Sequence, residues 1–149
     1  MVSRRLSLST LILLAVLVAA GCSPVPADVA ETVQPVASFD QLVAALAAAG
    51  VSVEDPGETL SQPFFEPPAR RIRLDGEELQ VFAFGSQAQA EAAAATIAPD
   101  GFEIGTSMVS WVATPHFYQA GDLIVLYVGD QAAIVTALEA AMGPQIAGG

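Results

Sequence analysis

The chain has a single cysteine, and its position decides what the residues after it must achieve without covalent help. Cys22 follows three small residues, Ala19-Ala20-Gly21. Before them runs an apolar stretch, Leu6 to Ala20, interrupted only by Ser7, Ser9 and Thr10, and before that stand Arg4 and Arg5. A positive lead, a short apolar run and small residues ahead of a cut site describe an export signal, and the run is too short for a mature membrane span. Residues 1–21 are therefore expected to be a lipoprotein-type signal peptide, with Cys22 lipidated after cleavage. Small side chains give a peptidase access to the backbone, and the thiol is the group that can take a diacylglyceryl thioether. Ala19 stands where such signals prefer Leu. Ser3-Arg4-Arg5-Leu6 also invites a twin-arginine reading, although Ser7 replaces the usual Phe. An uncleaved amino-terminal anchor helix is the competing interpretation of the same run. Burial of acyl chains contributes about 0.8 kcal/mol per methylene, so several chains together make a lasting anchor.

Lipidation of Cys22 leaves no thiol behind. No disulfide can form, and thiol nucleophiles, cysteine zinc clusters and CxxC redox chemistry are excluded. Stability outside the cytoplasm must come from an ordinary core. Charge restricts the partners further. The chain carries 5 basic and 16 acidic residues, a net charge of −11, and loss of Arg4 and Arg5 with the signal moves this to −13. Lysine is absent, and the remaining cations are Arg70, Arg71 and Arg73. Such a surface repels a phosphate backbone, so no nucleic-acid partner is expected. Anionic lipid is likewise repelled, which makes the lipid on Cys22 the expected membrane link. The domain is expected outside the cytoplasm, anchored to the cell membrane or, with Ser23 rather than Asp after the cysteine, to an outer membrane.

Residues 22–37 read as the lipidated cysteine and a Pro-rich tether, with prolines at 24, 26 and 35. A single globular domain is expected over 38–149, of a length sufficient for its own core. Ser38-Phe39-Asp40-Gln41 is a capping box, Phe39, Leu42, Val43 and Leu46 follow at helical spacing, and Gly50 closes the helix. A short strand at Val51–Val53 and a solvated acidic turn, Glu54-Asp55-Pro56-Gly57-Glu58, come next. Asp75-Gly76 is a two-residue hairpin turn, and counting outward pairs Arg73 with Glu78, Ile72 with Leu79 and Arg71 with Gln80.

Val81–Ala88 then aligns without gaps to Val125–Ala132: an apolar strand, a glycine, a capping Ser or Asp, and Gln-Ala opening a helix. A further strand is expected at about Ile104–Ala113. The second helix carries Ile134, Val135, Leu138, Ala141 and Met142 on one face and stops at Gly143-Pro144. The predicted fold class is α+β: a largely antiparallel sheet of four to six strands with three helices, containing a hairpin–helix unit that occurs twice and is open to a duplication reading. Leu123 to Val128 is apolar throughout, which requires both sheet faces to be covered.

The search for chemistry returns no catalytic residues. HExxH, GxSxG, Walker and GxGxxG patterns are absent, and without lysine no Schiff base forms. The acidic turn lacks the alternating spacing of a calcium loop. No metal or cofactor site is expected. His116, the single histidine, would need Asp122 or a serine such as Ser110 to act as a base; a loop histidine bonded to backbone is the plainer expectation. Trp111, His116, Phe117 and Tyr118 form the candidate binding surface, against the alternative that they pack the end of the sheet. Gln62-Pro63-Phe64-Phe65 is expected to be an irregular edge segment burying two rings.

Gln62-Pro63-Phe64-Phe65, the Asp-Gly hairpin, Asp100-Gly101, Trp111, Pro115–Tyr118, Leu123–Gly129 and the Gly143 ending together resemble a group of short bacterial envelope proteins. Glu66-Pro67-Pro68 departs from the glycine-containing turn of that group. The resemblance implies an envelope location and brings no activity, ligand or catalytic residue with it. The leading functional expectation is a membrane-anchored, non-enzymatic binding or assembly module, with an envelope protein or a second copy as partner. A carrier of small apolar ligands beside Trp111, or a small hydrolase using His116, are the alternatives.

Overall fold

The computed structural model describes residues 36–149, which all belong to one compact unit. The signal peptide, the Cys22 lipidation site and most of the tether lie outside the described residues. Among the described residues no helix is long and apolar enough to cross a membrane.

Helix α1 spans Phe39–Ala48. The Ser38 hydroxyl accepts from the Gln41 amide, and Gln41 Oε1 reaches back to the Ala37 amide at 2.8 Å. Both ends are closed by local chemistry. At the carboxyl end the Gly50 amide donates to Ala47 and the Val51 amide to Leu46, a Schellman arrangement that needs the positive φ of 87° at Gly50. Leu42 and Leu46, one turn apart, are fully buried.

Strand β1 (Val53–Leu60) replaces the expected short strand and acidic turn with one edge strand, irregular between Glu54 and Glu58. Asp55 and Glu58 are held in it by Arg70 and Arg71 of the neighbouring strand. A bulge, a proline and carboxylates on an exposed edge also discourage pairing with another chain. The hairpin of β2 (Ala69–Leu74) and β3 (Glu77–Ala83) has the expected register, with φ of 49° at Asp75 and 89° at Gly76. Asp75 Oδ1 further accepts from the Ser52 amide at 2.8 Å, tying the turn to the start of β1.

Helix α2 (Gln87–Ala94) follows, capped by Ser86 as expected. The strand predicted at Ile104–Ala113 does not form. Two residues of β4 (Glu103–Ile104) pair with two of β5 (Ser107–Met108) as a separate small ribbon, because Gly105 turns the chain with a φ of 58°. The remainder, to Thr114, is an irregular strap. Strands β6 (Pro115–Ala120) and β7 (Leu123–Val128) form a second tight hairpin, followed by α3 (Ala132–Met142) and the short β8 (Ala147–Gly148). The sheet order is β1-β2-β3-β7-β6-β8, antiparallel throughout.

Both sheet faces are covered, as the apolar β7 demands. On one face α1 and α3 bury Ile72, Leu79, Val81, Tyr118, Val125 and Tyr127. On the other, α2 and the segments bearing Phe65 and Trp111 cover Phe82, Phe117, Ile124 and Leu126. This placement rules out symmetry between the two hairpin–helix units. Val81 and Val125, equivalent in the alignment, pair directly across β3 and β7. A two-fold axis through that pair would keep both helices on one face, whereas α2 and α3 lie on opposite faces. Capping differs as well: Asp130 accepts from the Thr114 hydroxyl instead of capping α3, whose first residues are preceded by Gln131 with no side-chain cap.

Candidate functional site

Four residues were expected to share a surface, and the alternation of β6 separates them. Side chains of successive strand residues point to opposite faces. His116 and Tyr118 therefore join the α3 face and Phe117 the α2 face. Phe117 and Tyr118 are fully buried, and His116 is 8% exposed. Only Trp111, half-buried in the strap, reaches solvent. Its indole donates to the Gly101 carbonyl at 2.8 Å, and its ring meets Phe64 and Phe117 edge-on.

His116 is held on both sides. Nδ1 lies 2.7 Å from Gln145 Oε1 and Nε2 lies 3.0 Å from the Gly129 carbonyl, while the ring stacks on Tyr127 at 5.7 Å. Gln145 Nε2 donates onward to the Ala147 carbonyl. A general base must present a free ring nitrogen to its substrate, and both nitrogens here meet protein oxygens. Asp122 sits beyond the far end of β6, about 13 Å of strand from His116. The His116 cluster thus joins β6, the Gly129 loop and the carboxyl-terminal segment. Beside it, the Tyr127 hydroxyl accepts from the Gln131 amide, and burial, with Glu77 nearby, pushes the Tyr127 phenol above its usual range.

Concavities of about 310 and 450 Å³ border Trp111 itself, and a more apolar one lies on the α2 face. A groove of about 590 Å³ opens between the Phe64–Pro67 segment, the end of β3 and the outer side of α2. Phe64, Phe65 and Phe84 supply its aromatic wall, and Ala92 and Ala93 its helical wall. Local sequence explains the shape. Alanines on α2 leave space that larger side chains would occupy, and Pro63, Pro67 and Pro68 keep the aromatic segment out of the sheet ladder. Phe65 packs edge-on against Phe82 at 4.9 Å, Phe84 at 5.7 Å and Phe64 at 5.1 Å, so the wall is fixed from behind. Because Phe64 also contacts Trp111 at 6.1 Å, the groove wall and the indole belong to one string of rings.

Polar groups at the groove are few. Glu66, Gln89 and Thr96 line it, together with the Gly85 backbone. The Thr96 hydroxyl is spent on the Ala93 carbonyl. Gln89 folds back over Gly85, where a Cβ would stand 2.7 Å from Gln89 Oε1. Glu66 is exposed, and no cation among the described residues pairs with it. Arg70 and Arg71 are engaged with Asp55, Glu58 and Glu78, and Arg70 also covers the Phe39 ring at 4.1 Å. No cluster of three or more metal-ligating side chains occurs among the described residues.

Sequence reasoning found the Phe64-Phe65 pair and the alanine-dominated helix separately, each as packing. Their juxtaposition depends on which sheet face α2 takes, and the spacing of residues does not specify that. The near-absence of large side chains on α2, where Ala90 alone is fully buried, was the available signal. No protein-family model matches the chain, and neither a curated protein nor a solved structure shows significant similarity to it.

Proposed function

We propose that the protein is an exported lipoprotein, anchored through Cys22, whose domain is a non-enzymatic binding module for a small apolar ligand. The observation that carries the binding half is the groove of Phe64, Phe65, Phe84, Ala92 and Ala93. Its volume of about 590 Å³ lies within the range of small-molecule sites, roughly 300–1,000 Å³, and its walls are mostly apolar with few polar groups. The anchoring half rests on the sequence around Cys22 and on the likeness to short envelope proteins. Retention at a membrane places a groove of this kind where apolar compounds concentrate.

Intact mass measurement on the natively expressed protein tests the anchor: a diacylglyceryl-modified Cys22 at the new amino terminus is expected, and an intact Met1 or a free Cys22 thiol refutes it. Solvent extraction of the purified protein tests the groove. A small apolar compound is expected in the extract and is lost in Ala92→Phe, whose ring occupies the groove from the exposed side of α2. An extract unchanged by that substitution refutes the groove as the site.

A further inference from the structure

We infer that the groove selects ligands bearing a cationic head, an alkyl- or arylammonium group, over neutral and anionic ones of the same apolar body. The inference rests on the binding-module reading above and specifies its ligand class. Three observations point the same way. The charged side chain at the groove is Glu66, a carboxylate without a cationic partner among the described residues. The wall next to it consists of Phe64, Phe65 and Phe84, and aromatic rings attract desolvated ammonium groups. No arginine lines the groove to hold an anionic head: Arg70 and Arg71 are engaged with Asp55, Glu58 and Glu78, and Arg73 lies toward the hairpin-turn end of β2.

One feature acts in the opposite direction. The amino terminus of α2, at Ser86, carries a partial positive charge of about half a unit. Ser86 already caps it, its hydroxyl accepting from the Gln89 amide, and Gln89 Oε1 lies over Gly85 beside it. A full carboxylate charge at Glu66, in a chain with 16 acids and 5 bases, outweighs that remnant. An anionic head meets repulsion on approach and finds no guanidinium lining the groove, whereas an ammonium head finds a carboxylate and an aromatic wall.

The test uses the full chain in nonionic maltoside micelles with three water-soluble probes sharing one ring: benzyltrimethylammonium, benzyl alcohol and benzenesulfonate. Trp111 fluorescence reads binding through its contact with Phe64, and calorimetry checks it. The cation is expected to bind at least about ten-fold more tightly than the alcohol, with the sulfonate weakest. Glu66→Gln is expected to cut that preference by at least about three-fold, to what the aromatic wall alone supplies, and leave the alcohol unchanged. Glu91→Gln, which removes an exposed acid elsewhere on α2, is expected to change neither. Equal binding of cation and alcohol by the unaltered protein, or a preference that Glu66→Gln does not diminish, overturns the ligand class while leaving the groove intact. Failure of all three probes to bind overturns the groove itself, as does binding that Ala92→Phe does not diminish in a variant with unchanged circular dichroism.

Discussion

Tyr118 offers a quantitative test of the core beneath α3. Its side chain is fully buried, and its hydroxyl has no hydrogen-bond partner among the described residues. Burial, with a contribution from Glu139, pushes the phenol from its ordinary 10.0 up to about 12. Two consequences follow, of opposite dependence on pH. At neutral pH a buried hydroxyl that has surrendered its water costs on the order of 1 kcal/mol, and Tyr118→Phe removes it without opening a cavity. The variant should therefore be more stable by about 1 kcal/mol, which at a urea slope of about 1 to 2 kcal/mol per molar raises the midpoint by roughly 0.5 to 1 M.

At alkaline pH the unfolded chain releases the Tyr118 proton from pH 10 upward, while the folded chain keeps it until about 12. The folded value is raised, so the stabilisation is complete below pH 10 and is lost as pH rises toward 12. At pH 11 the loss amounts to about 1.4 kcal/mol, and at its limit to about 2.7 kcal/mol. Urea unfolding followed by Trp111 emission, at pH 7, 9 and 11, measures both parts. The advantage of Tyr118→Phe should widen from about 1 kcal/mol at pH 7 to about 2.4 kcal/mol at pH 11. A variant less stable than the parent at pH 7 would show that the hydroxyl has a partner, and an advantage independent of pH would show that the phenol titrates normally. Either result refutes the reasoning.

Three further outcomes are expected. Gly148→Ala places a Cβ 1.9 Å from the Pro115 carbonyl oxygen, at a φ of 87°, so β8 must leave β6; hydrogen exchange at Ile146 and Gly149 should rise by at least ten-fold, and unchanged protection contradicts this. His116→Ala, which removes a ring that bridges Gln145 and Gly129, should cost about 3 kcal/mol. A double-mutant cycle with Gln145→Ala should return a coupling of about 1 kcal/mol, and additivity would mean the two do not act together. Asp55 is held below the usual carboxylate range by the Arg70 side chain and the Gly57 amide. Its contribution is therefore present above pH 3.8 and lost as pH falls through the lower folded value, so the difference between parent and Asp55→Asn should vanish in strong acid and persist at pH 6.

What was legible in the sequence was whatever neighbouring residues decide. The register of the Asp75-Gly76 hairpin, the cap at Ser38 and the stop at Gly50 follow from local hydrogen bonds and from backbone angles that few residues adopt. The Glu54–Glu58 segment looked like a turn because its own residues favour one; Arg70 and Arg71, on the next strand of the sequence, draw it into the sheet. The Ile104–Ala113 segment looked like a strand, yet Trp111 is drawn to Gly101 and to the rings of Phe64 and Phe117 instead. For the candidate surface, Pro115–Ala120 does not read as a strand in the sequence; as β6, its period-two alternation turns His116 and Phe117 to opposite faces. The groove was illegible for a different reason: it is the space left between α2 and a proline-held segment, and space has no residue of its own.

Val36 is almost completely buried, and Ala37 lies against the β6–β7 turn, where a Cβ on Gly121 would stand 2.6 Å from the Ala37 Cα. Val36 is thus the point from which the chain is fixed to the domain. If the thioether forms as proposed, the fourteen peptide steps from Cys22 to Val36 span about 50 Å at most. Whatever the domain captures must come within that distance plus the domain's own breadth of the bilayer surface, and a mate residing deeper in the wall lies beyond its grasp.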